Sequence, residues 1–254
     1  MKKIPKLILV LFVNQCFVGF LAILISKTLG SSHISSFLAY ISRPLFLAMT
    51  VSIFYTRSLA RVPSFLGFHK KFFRPWILGM ILTIPNGLLI LFLLNWKHLP
   101  FSFEFGEALI HLIFIFLGPG LFEEGLFRGL VFRRLLETMP WWKAGLYTGG
   151  LFAFFHLGNL ALGYPLAQVL FQLLHVVLLS LLLGFLTWKL NGNIWACVAF
   201  HTINNFYAAT LISDPHLQQY LIPFFLLGVL GLTFSFAGAI ILLRRKREKL
   251  ETVP

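Results

Sequence analysis

Three short clusters of polar residues interrupt an otherwise apolar chain. The first is Glu123-Glu124-x-x-x-Arg128, which follows Gly118-Pro119-Gly120. The second is Phe152-x-x-x-His156, and the third is His201-x-x-x-Asn205. Carboxylate and imidazole groups activate water near neutral pH. An imidazole and a carboxamide on one helix face can donate hydrogen bonds to the oxyanion that develops on an attacked carbonyl. Each cluster contains one pair at i and i+4, Glu124 with Arg128, Phe152 with His156 and His201 with Asn205, and such helical side chains share a face.

The two adjacent acids read differently. Glu124 and Arg128 share a face and pair, which serves equally as a structural staple. Glu123 is turned about 100° away on an α-helix and has no second Arg within reach in sequence. Pro119 is expected to break or kink the helix before it. A fresh turn starting there would set Glu123 near a helix N-terminus, where a carboxylate is favoured. His156 alone, or His201 with Asn205 alone, would read as packing or as an inter-helix hydrogen bond. Together the clusters read as a water-activating site. His111 and His175 also lie in apolar runs. Their only nearby polar partner is Glu107, four residues before His111, so both are assigned to structure.

The elements that must carry these groups are membrane helices. The chain of 254 residues is 58% hydrophobic and 11% charged. A soluble domain carries about a quarter charged residues. A crossing of the ~30 Å hydrocarbon core takes about 20 apolar residues. Windows at 4–25, 36–55, 75–95, 105–125, 141–162, 167–190, 194–212 and 220–243 approach that. Runs such as 178–186 lack the alternation of a β-barrel. The expectation is a single all-α membrane domain, a bundle of about eight transmembrane helices. The apolar run after Lys2 and Lys3 exceeds a signal-peptide core and has no convincing cleavage site, so it reads as a retained signal anchor.

Charge sets the orientation. With the N-terminus cytoplasmic, every Lys and Arg except Lys27, Lys97 and Arg43 falls on inner segments. That asymmetry predicts both termini inside. Arg43 is the anomaly, inside the second window. The net charge of +13 thus marks membrane orientation. Nucleic-acid binding would need a water-exposed basic face, which this pattern excludes. Residues 56–74 read as an interfacial helix on the inner leaflet. Cys16 and Cys197 lie in apolar runs and read as small core residues, without disulfide or zinc spacing.

The three motifs, in this order on separate spans, resemble those of the CPBP family of CAAX proteases and bacteriocin-processing enzymes, also called Abi proteins. The resemblance covers about 118–206, and no motif position departs from it. It implies an eight-helix bundle that hydrolyses peptide bonds without a covalent intermediate. It implies Glu123 and His156 as water activators and His201 and Asn205 as the oxyanion site, with Glu124, Arg128 and Phe152 in support. No cofactor is implied. A zinc variant using Glu123, His156 and His201 ranks below, because HExxH spacing is missing. A non-enzymatic scaffold, bacteriocin-immunity protein or small transporter is the further alternative. The expected partners are membrane lipids and a peptide or lipidated protein substrate. Short loops and small size suggest a bacterial cell membrane.

Overall fold

The computed structural model describes residues 3–29, 33–96, 105–161, 163–212 and 221–244. The described residues are helical, without strands. The long helices are α1 (Lys3–Leu29), α2 (His33–Val51), α4 (Phe73–Trp96), α5 (Phe105–Ile115), α7 (Trp141–His156), α9 (Leu166–Lys189), α10 (Trp195–Ile212) and α11 (Leu221–Leu242). Short helices α3 (Val62–Phe65), α6 (Arg133–Leu135) and α8 (Gly158–Ala161) lie between them. Five stretches are long and apolar enough to cross a membrane: Ile34–Thr56, Phe73–Asn95, Phe105–Leu135, Leu166–Lys189 and Phe225–Leu242. Such runs make this a multi-pass membrane protein. Helices also occupy the windows expected at 4–25, 141–162 and 194–212. In the second of these, α7 stops at His156 and α8 follows.

The expected break at Pro119 does not occur. Phe105–Leu135 is one helical rod. Between α5 and α6 it is π-helical over Phe116–Glu123 and again over Gly125–Phe132. Wider i→i+5 turns absorb the proline ring and its missing N–H, so the helix continues. Glu123 therefore sits in mid-rod, and the helix-end stabilisation expected for it does not apply. Widened turns of this kind are frequent at functional sites. Here they carry the whole first motif.

The elements close into a ring. The rod contacts α7, α7 packs on α9, α9 on α11, α11 on α4 and α4 on α10, which returns to the rod. On the outside α2 packs against the rod and α1 against α2. Without a strong hydrophobic drive between helices in lipid, close packing and polar contacts hold such a ring together. Gly118 lies under the Tyr40 ring of α2, and Gly120 lies under Thr202 of α10, where an added Cβ would come within 2.5 Å of Oγ1. Buried cross-links add to this. Asn14 Nδ2 donates to Thr50 Oγ1 at 2.9 Å, Asn86 Nδ2 to Asn204 Oδ1 at 2.7 Å, and Ser235 Oγ to the Leu82 carbonyl at 2.6 Å.

Segment 56–74 is not the interfacial helix expected. It divides into a left-handed residue at Arg57, a single 3-10 turn, the four-residue α3 and an irregular strap. Pro63 and the positive φ of Gly67 interrupt any longer helix. The strap is tied to the start of α10. The Ile194 N–H donates to the Gly67 carbonyl, Asn193 Nδ2 to that of Lys71 and Trp195 Nε1 to that of His69, at 3.1, 3.0 and 3.0 Å. Arg133 Nη1 donates to the Phe65 carbonyl. Arg43 stays inside α2, its guanidinium stacked 4.4 Å over the Tyr40 ring centroid, so its window stands. Cys197 is buried as expected, whereas Cys16 is exposed on the outer face of α1.

The contact between Gly120 and Thr202 gives a direct test. Gly120→Ala should destabilise the detergent-solubilised protein by about 1–3 kcal/mol through overpacking. Adding Thr202→Ala, which removes the clashing Oγ1, should restore part of the loss. Thermal unfolding by intrinsic tryptophan fluorescence reads both, and a wild-type midpoint for Gly120→Ala would contradict the close approach.

Candidate active site

Inside the ring lies a cavity of about 110 Å³, room for several waters. Its walls come from α4, α7, α9, α10 and α11. His156, His201 and Asn205 line it, with Phe152 at the wall. The second and third motifs thus meet at one point. The adjacent asparagines Asn204 and Asn205 both line the cavity, and Asn204 accepts from Asn86 Nδ2 through its side-chain carbonyl.

His156 Nδ1 lies 2.8 Å from the Phe152 carbonyl, the backbone acceptor one turn earlier. A carbonyl only accepts, so Nδ1 carries the proton and Nε2 of the neutral ring keeps its lone pair. That nitrogen is the one suited to take a proton from water. The Phe152 ring stands nearly perpendicular to His156, centroids 4.7 Å apart, and to His201 at 5.9 Å. It therefore fixes both imidazole planes by packing.

Behind the cavity lies a buried charged cluster. Glu124 is fully buried and Arg128 is 1% exposed. Glu124 Oε1 accepts from Arg128 Nη1 at 3.0 Å and from His201 Nδ1 at 2.5 Å. Arg128 Nη2 donates to Ser180 Oγ of α9 at 2.9 Å, and its guanidinium lies 5.2 Å from the Phe152 ring centroid. The pair is thus more than a local staple, because one carboxylate oxygen joins the first motif to the third. The same contact places a proton on His201 Nδ1 and turns Nε2 to the other edge of the ring.

Glu123 does not join this group. It is half-buried, is not part of the cavity lining, and makes no hydrogen bond or ion pair with any described residue. In the widened helix the two acids project in different directions, and Glu124 takes the inward one. His111 is exposed, consistent with a structural or lipid-facing place. His175 departs from expectation: it lines the cavity beside His156 and His201. Gln172, one turn before it, lines the cavity too and accepts from Asn159 Nδ2 at 2.8 Å. Asn86, Ser180 and Gln172 escaped the sequence reading because single polar residues in apolar helices carry no spacing signal. A shared face of α9 did link Gln172 and His175, at i and i+3.

The bundle thus gathers two motif histidines and a carboxamide on one cavity, backed by a buried carboxylate, groups that can accept a proton from water and donate to an oxyanion. Residues 105–207 match the model of the Rce1-like family, described as type II CAAX prenyl endopeptidase Rce1-like. The match takes in all three motifs and covers residues 105–207 of the 254. No curated protein and no solved structure matched the chain.

The cluster predicts unequal costs for its members. Arg128→Met should destabilise the protein by about 3–5 kcal/mol, because it strands a buried carboxylate. Ser180→Ala removes one charge-assisted bond and should cost about 1–3 kcal/mol. Glu124→Gln combined with Arg128→Met should recover stability relative to Arg128→Met alone. Urea or thermal unfolding in detergent reads the series, and equal midpoints across it would refute the cluster.

Proposed function

We propose that this chain is an intramembrane endopeptidase that cleaves peptide bonds in lipidated or membrane-associated peptides. The family supports a CAAX-type protease in general. The observation that carries the finer reading is the convergence of His156, His201 and Asn205 on one water-sized cavity, with His156 Nε2 free to accept a proton.

In this reading His156 holds the attacking water in the cavity, and Glu123, outside the cavity lining, has only the second activating role that the motif resemblance implies. Glu124 is committed to Arg128 and His201, so Glu123 is the uncommitted carboxylate of the pair. The water oxygen attacks the scissile carbonyl carbon as its proton passes to His156 Nε2. The carbonyl π bond opens, and its electron pair becomes an oxyanion. Asn205 Nδ2 donates to it, as does His201 Nε2 when the ring carries a second proton, with the Glu124 carboxylate against the resulting charge. Collapse of the tetrahedral intermediate breaks the C–N bond, and the proton taken from water goes to the leaving amine. No covalent enzyme intermediate is formed.

We read the reaction as metal-free. Among the described residues no three His, Cys, Asp or Glu side chains group closely enough to hold a metal ion, which favours the carboxylate–histidine route over a zinc site built from Glu123, His156 and His201. The family description suggests a prenylated C-terminal CaaX segment as substrate, with peptide pheromone or bacteriocin precursors as the counterpart in bacteria. The proposed setting is a bacterial cell membrane. There the single domain would cross eight times with both termini cytoplasmic, as the basic segments favour.

The test is cleavage of an internally quenched farnesylated CaaX peptide in detergent, beside a panel of unprenylated membrane-anchored peptides. Wild type should cleave with or without chelator. Glu123→Ala and His156→Ala should each lower kcat by 10²-fold or more while keeping the wild-type melting temperature. Glu124→Ala should lose activity and stability together. Activity abolished by chelator and restored by zinc would replace this mechanism with the metal one. Undiminished cleavage by His156→Ala would overturn it.

A further inference from the structure

The cavity holds a third histidine that neither the motifs nor the proposed mechanism employs. His175 sits on α9 and lines the same cavity as His156 and His201, with Phe225 of α11 edge-on at 6.4 Å between centroids. Its Nδ1 is enclosed and has no hydrogen-bond partner. That side of the ring faces Gly228 of α11, where an added Cβ would lie 3.3 Å from Nδ1 and 3.2 Å from Cε1. A glycine at 228 lets α11 close over this edge and shut out water.

A buried N–H with no acceptor is costlier than an imidazole lone pair left unpaired, since orphaned buried donors are rare. The neutral ring therefore places its proton on Nε2. With Nδ1 sealed against α11, the ring edge left to the cavity carries that Nε2–H. His156 shows the opposite tautomer, with Nδ1–H on a backbone carbonyl and a lone pair on Nε2. The two histidines are thus matched opposites, one accepting and one donating toward the same space.

We propose that His175 is a substrate-binding residue: its Nε2–H donates to a backbone carbonyl oxygen of the peptide held in the cavity, on the α9 side. The proposal deepens the peptidase reading and rests on it for the identity of the ligand. A peptide backbone is the ligand class that fits. It offers carbonyl acceptors at regular intervals, and Gln172 of α9 and Asn205 of α10 supply further carboxamides to the same cavity. The titratable or charged groups facing His175 from neighbouring elements are His156 on α7 and His201 on α10.

The experiment has two arms, so that failure of the inference and failure of the peptidase reading are told apart. In the first, histidine-labelled protein is examined by ¹⁵N NMR, with His175→Gln used to assign the signal. The expected result is the Nε2–H tautomer for His175 and the Nδ1–H tautomer for His156. An Nδ1-protonated His175 overturns the proposal, whatever the enzyme cleaves. In the second, binding of a fluorescent farnesylated CaaX peptide is measured by anisotropy on a His156→Ala background, which needs no turnover. Adding His175→Phe keeps a ring but removes the donor, and should weaken binding about tenfold. Adding His175→Gln, which retains an N–H, should restore most of it. Equal affinity for the Phe and Gln forms, with all variants melting alike, overturns the proposal. If the Phe form fails to fold, Gly228→Ala, which presses on the same ring edge, replaces it and must weaken binding for the proposal to stand. No binding by any form rejects both this inference and the substrate class on which it rests.

Discussion

One carboxylate oxygen organises the interior. Glu124 Oε1 receives a guanidinium from its own helix and an imidazole from α10. Through Arg128 the same group reaches Ser180 on α9 and the Phe152 ring on α7. Four elements of the ring are therefore referenced to one atom. Burying charge costs several kcal/mol per ion, repaid only when geometry is good and hydrogen bonds are made. In a membrane protein the penalty for scattering these groups into hydrocarbon is a further constraint. Such a cluster contributes register more than net stability. It fixes which face of each helix turns inward, and so where His156, His201 and Asn205 meet.

The widened rod makes that arrangement possible. An ordinary α-helix broken at Pro119 would have started a new segment whose direction depended on the loop. The π-helical turns keep 105–135 in one line while changing the angle between successive side chains. Glu124 turns to the ring interior with Phe122, Arg128 and the buried run behind them, and Glu123 turns aside. Gly118 and Gly120 then let α2 and α10 close on the rod at the level of the acids.

Much of this was legible beforehand. The motif spacings named His156, His201 and Asn205, which meet on the cavity, because i and i+4 are informative on any helix, but they also named Glu123, which stands outside its lining. The apolar windows located the long helices, because length and composition are what the bilayer constrains. Three things were not legible. The proline reading failed because a π-helical detour is a tertiary accommodation, invisible to local propensity. The reading of 56–74 as an amphipathic helix failed because its basic residues satisfied a charge pattern while Pro63 and Gly67 set the backbone. His175 was assigned to packing because its one spacing partner, Gln172 at i−3, was overlooked, and only the closure of α11 over Gly228 shows what its ring faces.

The three cavity histidines also show how an apolar bundle makes distinct chemistry from identical side chains. Each ring is defined by what meets Nδ1. A backbone carbonyl meets it in His156, a buried carboxylate in His201, and a sealed apolar wall in His175. The first leaves a base at Nε2. The second leaves a nitrogen whose protonation is balanced by a fixed negative charge, and the third leaves a neutral donor. None of these partners is a solvent molecule, so the assignments do not depend on water entering the membrane. Peptide hydrolysis needs an acceptor for the water proton, a donor for the oxyanion and a grip on the peptide backbone. A ring of helices with only a few interior polar groups can supply all three when each imidazole has its other nitrogen spoken for.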